Sequence, residues 1–446
     1  MYELHCFGFK RKMIDAHQQV QELLDFIDAS PSPWHAVKQV QAHLEAFQFI
    51  KLDETSAWDL LPGGHYYVVR DDSSIIIFVQ GQKPLVETGF KLVGAHTDSP
   101  GLRIKPNAAS GIDGLLRLGV EVYGGPILAT FADRDLSLAG RITYKDDSNA
   151  IASTLLKFDQ TLLRLPNLAI HMNRGVNDDG LKLHKQNELP LILSALAQDC
   201  LPQAYFSQLL QEQTDCEIER ILSWDLAVYD TQKGAFWGAE QEFYADSQLD
   251  NLASCHAALQ ALLDEAILDN EGTLVCAFFD HEEIGSESNK GADGSFLTDV
   301  LQRIALATVQ DKDDYARALA KSYMISADMA HAYQPSFPLA YDPDHKVIVN
   351  KGPVIKVNVN NRYSTESLSQ ALFIDWCEQA EVPYQKYSHR SDLGCGSTIG
   401  PITSARLGIR SIDVGNPLWA MHSIRESAGV LDHSYMIKVL KQFFRD

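Results

Sequence analysis

The chain is poor in several features that would each have marked a class of protein. Its 446 residues include only seven cysteines, Cys6, Cys200, Cys216, Cys255, Cys276, Cys377 and Cys395. The count is odd and no C-x-x-C pair occurs, so neither a disulfide framework nor a cysteine zinc site is indicated. Such usage fits a reducing compartment. Basic residues are scarce: 38 Lys and Arg stand against 59 Asp and Glu, a formal net charge of −21. That balance argues against nucleic acid or an anionic membrane as partner. It leaves an acidic small substrate open, because a few local cations override a distant field at close range. No uninterrupted apolar span reaches transmembrane length. Lys10, Arg11 and Lys12 are followed by no apolar signal core. No internal repeat or low-complexity segment is visible. The expectation is a cytoplasmic globular protein of two or more domains, with residues 1–12 as an N-terminal extension.

What is present is concentrated in Leu274-Val-Cys-Ala-Phe-Phe-Asp-His-Glu-Glu-Ile-Gly285. The apolar run to Phe279 reads as a buried strand. It ends in Asp280, Glu282 and Glu283. Adjacent carboxylates at the tip of a buried strand repel one another and lose solvation. A cation held there would offset both costs. One carboxylate could also bind metal while its neighbour moves protons, the two jobs that metal-assisted hydrolysis needs.

The surrounding pattern is that of an α/β layer protein. Residues 14–47 read as helix, with a break at Ser30-Pro31-Ser32-Pro33 and a second helix from near Trp34. Strands are expected at Tyr66–Arg70, Ser74–Gln80 and Lys91–Ala95, then Thr273–Phe279 and Tyr323–Ala327. Helices are expected at Leu252–Ala266 and Ser295–Ala307. Between Pro106 and Gly238 the texture changes to short β-like runs separated by Gly-rich turns: Leu115–Val122, Ile127–Ala132 and Leu136–Tyr144. A helix over Pro202–Gln213 and a strand over Ile221–Val228 follow. The expected organisation is a discontinuous catalytic domain, 13–105 and 239–446, split by an inserted strand-rich domain, 106–238. In open α/β sheets, ligand sites lie outside the carboxyl ends of the strands. His96 and the Glu282–Glu283 pair occupy that position.

Potential metal ligands follow expected strand ends or sit in short polar turns. They are His96, Asp250, Glu283, Asp328 and His422. Two imidazoles and three carboxylates suit zinc, and a carboxylate can bridge two ions. Glu282 is then free to take a water proton and hand it to a leaving amine. Asp98 could accept the second N–H of His96 and fix its tautomer. Singly, each has a blander reading. His-x-Asp is usually a surface turn, Asp250 could simply cap a helix, and paired glutamates are usually solvated.

In combination these segments resemble a known family, the aspartyl aminopeptidases, which are cytosolic dinuclear zinc exopeptidases. The resemblance spans nearly the whole chain. It runs through Gly94-Ala-His-Thr-Asp-Ser-Pro100, Leu102-Arg-Ile-Lys-Pro106, Leu249-Asp-Asn-Leu252 and Glu282-Glu-Ile-Gly-Ser-Glu-Ser288. It continues through Ser326-Ala-Asp-Met-Ala-His331, Lys351-Gly-Pro-Val-Ile-Lys-Val-Asn358, Cys395-Gly-Ser-Thr-Ile-Gly-Pro401 and Met421-His-Ser-Ile-Arg-Glu426. It implies a mixed-sheet, three-layer α/β zinc-exopeptidase domain with an inserted β-rich dimerisation domain. It implies two divalent metal ions, zinc above all. His96, Asp250 and Asp328 would hold one and Asp250, Glu283 and His422 the other. Glu282 would be the general base, and Asp98, as the orienter of His96, is counted with it among the catalytic residues. The implied substrates are small peptides with an acidic N-terminal residue, and the implied assembly is a hollow homododecamer built from dimers.

The resemblance also nominates substrate-side residues. Lys356, inside the apolar run Val354–Val359, reads as an exposed edge residue, a snorkelling stem or a buried cation awaiting an anion; composition alone favours the first, and the resemblance favours the third, a cation that would meet an acidic side chain. Tyr363 would line the same pocket, or simply pack. His171 would reach a neighbouring subunit's active site; by itself it reads as a locally satisfied strand histidine. Where the family often has a second histidine before a proline, this chain has Tyr333-Gln334-Pro335. Gln334 forms hydrogen bonds but cannot titrate, so acidic specificity could be looser. Two other readings stay open: the same chemistry on other substrates, as in a broad aminopeptidase or an N-acyl amino acid deacylase, and a non-catalytic shell protein.

Overall fold

The computed structural model describes residues 2–197, 200–214, 220–268, 270–307 and 311–446, with side chains from residue 14 onward except that of residue 268. Of the expected N-terminal extension, Met1 lies outside the described residues. The remainder continues the backbone of the first helix, Tyr2–Asp28. Cys6 and Cys216 have no described side chains, and the five described cysteines are free thiols.

The chain builds a nine-stranded mixed sheet. Its central strands, Thr273–Phe279, Phe90–His96, Tyr323–Ala327 and Arg410–Gly415, run parallel in that spatial order. Parallel strands covered on both faces read as continuous apolar runs, and every residue of Thr273–Phe279 is buried. Alternate side chains serve opposite faces. Leu274, Cys276 and Phe278 enter the core beneath helices Leu249–Leu262 and Val430–Arg445. Val275, Ala277 and Phe279 enter the core on the other side, beneath helix Phe296–Leu306. Helices on both faces give the three layers. The break at residues 30–33 works as its composition implies: Pro33 opens the second helix, Pro33–Ala46.

A second, six-stranded sheet is built from strands between Gly101 and Asp230 and has its own apolar core. Its middle strands are Gly101–Ile112, Leu115–Tyr123, Leu136–Lys145 and Arg220–Asp230. A five-stranded sheet carries Phe243–Asp246, Pro417–Trp419 and Glu426–Gly429.

One expected strand is absent. Residues 127–132 form a 3-10 turn, Leu128–Phe131, instead. The reason is local: the Thr130 hydroxyl donates to the Ile127 carbonyl at 2.7 Å, and the Ile127 amide donates to the His422 carbonyl at 2.9 Å. With its polar groups so engaged, the segment has no ladder to join. The expected strand around His171 is also absent. His171 sits in an exposed turn, flanked by Leu168, Ile170 and Met172 at 68, 48 and 76% exposure. Among the described residues no helix is long and apolar enough to cross a membrane.

Candidate metal centre

The carboxyl ends of the parallel strands converge on one place. Phe90–His96 delivers His96, and Thr273–Phe279 leads into the 3-10 turn Glu282–Ile284. Tyr323–Ala327 delivers Asp328, and helix Leu249–Leu262 brings Asp250 at its first turn. His422 hangs in the turn between strands Pro417–Trp419 and Glu426–Gly429.

Asp250 stands in the middle. Its Oδ1 is 3.4 Å from His96 Nε2, and its Oδ2 is 3.4 Å from His422 Nε2. His422 Nε2 is also 3.4 Å from Glu283 Oε1, and His96 Nε2 is 4.0 Å from Asp328 Oδ1. Two triads result, His96–Asp250–Asp328 and Asp250–Glu283–His422, each with ligand atoms within 4.8 Å of one another. His96 with Glu282 and Glu283 forms a further such group. His96, Asp250 and Asp328 are buried, while Glu282, Glu283 and His422 are partly so.

Each imidazole is oriented by its other nitrogen. His96 Nδ1 is 3.0 Å from the Asp98 carbonyl oxygen, with Asp98 Oδ1 at 3.4 Å. His422 Nδ1 is 3.1 Å from the Gly125 carbonyl oxygen. A carbonyl only accepts, so each Nδ1 carries a proton and each Nε2 can present a lone pair inward. The partner of His96 is thus chiefly the main-chain oxygen of Asp98. The Asp98 side chain is occupied elsewhere: Oδ1 accepts from the Glu282 amide at 3.2 Å, and Oδ2 from the Glu283 amide at 3.1 Å. Asp280 is diverted as well, by Lys290 Nζ at 2.7 Å.

The electrostatics call for positive charge. Burial, reinforced by Asp250, pushes the Glu283 carboxyl up to about 7 against the pull of His422. Burial likewise raises Asp328 to about 6, although Lys356 opposes it. His422 is driven up to about 11: burial alone would lower it, but Asp250 and Glu283 outweigh that. Asp250 Oδ1 is buried and has no hydrogen-bond donor. Hard oxygen donors, two inward Nε2 atoms and an orphaned carboxylate oxygen fit zinc. Glu282, raised well above its usual range first by burial and then by Asp328, Glu283 and Asp98, has the environment of a proton carrier. Among the described residues one more acidic group has metal-like spacing, Asp311, Asp313 and Asp314. It is accounted for by helix capping, since Asp311 accepts from the Asp314 amide at 3.0 Å.

Lys356 is neither an edge residue nor a snorkelling one, at 2% exposure. Its Nζ donates to the carbonyls of Asp328 and Met329 at 2.9 and 3.2 Å, and lies 3.7 Å from Asp328 Oδ2. Tyr363 is buried with its ring 5.1 Å from that Nζ. His331 is also held in this region, close to Tyr387 and His389. His171, on its exposed turn, belongs to none of the metal-spaced groups.

Three contributors were missed by sequence reasoning. Tyr123 donates to Asp98 Oδ2 at 2.7 Å. Gly124, at φ +65, comes so near that a Cβ there would lie 3.2 Å from Glu283 Cβ. Glu426 accepts from the amides of His422 and Asp250 at 2.7 and 2.9 Å. The only available signal was for Glu426, which stands four residues after His422 in a quoted motif.

Comparison with known proteins places these features in a family. The sequence profile described as Aminopeptidase I zinc metalloprotease (M18) matches residues 26–444. A protein of Ectopseudomonas mendocina (strain ymp), named "Probable M18 family aminopeptidase 2", is 48% identical over 429 residues, covering 95% of this chain and 97% of its own length. Among solved structures, a chain of the Ape4 and Nbr1 complex superposes with a TM-score of 0.93 at 37% identity, covering 97% of this chain and 86% of that one. The S. cerevisiae mApe1 dodecamer gives 0.84 at 27% identity, with 95% of each chain covered.

Proposed function

The chain belongs to the M18 family of aminopeptidase I zinc metalloproteases, and from that premise we propose that it removes N-terminal aspartate and glutamate from small peptides, using two zinc ions. The observation that carries this reading is Asp250, with one oxygen 3.4 Å from each inward imidazole nitrogen. His96 and Asp328 would complete one site, Glu283 and His422 the other. Zinc bound there supplies Lewis-acid polarisation of a peptide carbonyl and makes a water easier to deprotonate.

The protein's own groups do the rest. Glu282 belongs to neither triad that contains Asp250. Its carboxylate takes the proton of the attacking water and delivers it to the departing amine nitrogen. Asp98 holds the Glu282 and Glu283 amides together, so one carboxylate is kept for proton transfer and its neighbour for ligation. Lys356 supplies a buried cation beside the cluster, where an acidic side chain would gain a desolvated partner. Its donors already meet two carbonyls and approach Asp328. That observation favours a second reading, the same hydrolysis with broader N-terminal preference.

For assembly, the chain would form a homododecamer built from dimers; the S. cerevisiae relative is named as a dodecamer. The exposed apolar turn that carries His171 supports a subunit contact that places this histidine at a neighbour's site. Hydrolysis of peptides differing only in the N-terminal residue, with and without a chelator, tests the activity. Asp- and Glu-peptides should be cut well above Leu-peptides, and the chelator should abolish all cleavage. Cleavage indifferent to the chelator would end the reading, and equal rates on all peptides would leave the broader one. Light scattering in solution tests the assembly, which a monomer would refute.

A further inference from the structure

The ligands of the second triad are held on irregular backbone. Gln248 has φ 58, and Asp250 and Asn251 depart from helical geometry although they stand in the first turn of their helix. Ala420 and His422 have φ 57 and 67. Non-glycine residues in the left-handed region persist where neighbouring structure holds them. The amides of Asp250 and His422 both end on Glu426, at Oε2 and Oε1, 2.9 and 2.7 Å away.

We propose that Glu426 is a positioning residue that fixes the separation of Asp250 and His422, and thereby sets how tightly the Asp250–Glu283–His422 side of the centre holds its ion. This rests on the two-zinc reading above. Glu426 is itself no ligand on this geometry, for it appears in none of the metal-spaced groups among the described residues. It is 2% exposed, and each oxygen is committed to a main-chain donor. Swinging toward an ion would strand both amides. Its own place is rigid: strand Glu426–Gly429 pairs with Phe243–Asp246, with Glu426 opposite Asp246, and also with Pro417–Trp419. The strand ending at Asp246 runs on to Asp250, and the strand ending at Trp419 runs on to His422. One carboxylate therefore closes both connections onto the sheet that launches them. A ligand set has to be preformed to bind tightly, and the groups that orient ligands typically account for about 10–100-fold in metal affinity.

The experiment is zinc retention against graded chelator, counted as ions per chain, for the wild type, Glu426→Gln and Glu426→Asp. With Gln in the same place, its NH2 group replaces one of the two accepting oxygens and faces a main-chain N–H, so one of the two amides loses its acceptor. Glu426→Gln should release one of two zinc ions at roughly 10–100-fold lower chelator strength while the other is kept as in the wild type. Added zinc should restore kcat with KM unchanged, and the metal-free melting temperature should move little. A generic packing defect would instead lower that temperature and leave retention alone. If Glu426→Gln does not fold, Glu426→Asp carries the test: it keeps both acceptor oxygens on a shorter stem and should also hold one ion more weakly. Wild-type retention of both ions in the folded variant overturns the proposal. A wild type that holds one zinc per chain overturns the two-zinc reading, and this proposal falls with it.

Discussion

Tyr123 donates its hydroxyl to Asp98 Oδ2 at 2.7 Å, from a strand of the six-stranded sheet to the turn after a strand of the nine-stranded one. The same oxygen accepts from the Glu283 amide. Arg103 packs its guanidinium 4.6 Å from the Tyr123 ring centroid, which fixes the ring from behind. Tyr123→Phe removes a donor from a buried anion, so stability should fall by about 1.5–3 kcal/mol, the worth of a hydrogen bond to a charged group. kcat should drop with it as the Glu282–Glu283 turn loosens. Denaturant unfolding and steady-state kinetics on the same preparation check both; unchanged values for each would mean that Asp98 is held by the amides alone.

Glu282→Gln and Glu283→Gln should separate proton transfer from metal holding. The first should lose about 10²–10⁴-fold in turnover and keep its zinc. The second should lose zinc at chelator concentrations that the wild type tolerates. Metal analysis beside the kinetics decides it, and equal metal loss in both variants would refute the division of labour.

Lys356→Ala should cut kcat/KM on Asp-peptides far more than on Leu-peptides. Matching losses would mean that the lysine acts only by holding Asp328 and Met329.

A fourth expectation concerns acid stability and lies away from the candidate metal centre. His256 Nδ1 and His433 Nε2 are 2.9 Å apart in the core. Burial lowers His433 from 6.5 to about 3. His256 is also lowered well below 6.5, by burial and then by His433 and His43. Both are neutral in the fold, while in the unfolded chain they take up protons below pH 6.5 or so. Their contribution is therefore whole above about pH 6.5 and is lost as pH falls toward about 3, with a slope near 1.4 kcal/mol per pH unit for each histidine. Denaturant titrations of chelator-treated protein from about pH 7 to about pH 5 should show this slope, and His433→Asn should flatten it. An identical slope in the variant would place the acid sensitivity elsewhere.

Much of this was legible in the sequence, for physical reasons. Thr273–Phe279 and Tyr323–Ala327 were found residue for residue, because strands buried on both faces leave unbroken apolar runs. The residues that the fold gathers into the two triads follow such runs or sit in short polar turns, but only the family resemblance, not any local pattern, groups them into two sets. What failed was anything settled by distant partners. Ile127–Ala132 has the composition of a strand, yet its amide is claimed by His422. Lys356 sits in an apolar run, and only the fold shows that the carbonyls of Asp328 and Met329 receive it. Tyr123 carries no local sign of its role, since it acts on a turn supplied by another part of the chain, and Glu426 is signalled only by its place four residues after His422, while its contact with the Asp250 amide depends on the fold.

The approach of Gly124 and Gly125 to Glu283 and His422 bears on how the enzyme could be trimmed or transplanted. A shortened protein that left out only the six-stranded sheet would retain all five side chains of the two triads, yet His422 would face water where the Gly125 carbonyl now meets it. Nor could a foreign module be grafted in that gap unless it brought its own pair of glycines and a tyrosine at the right depth.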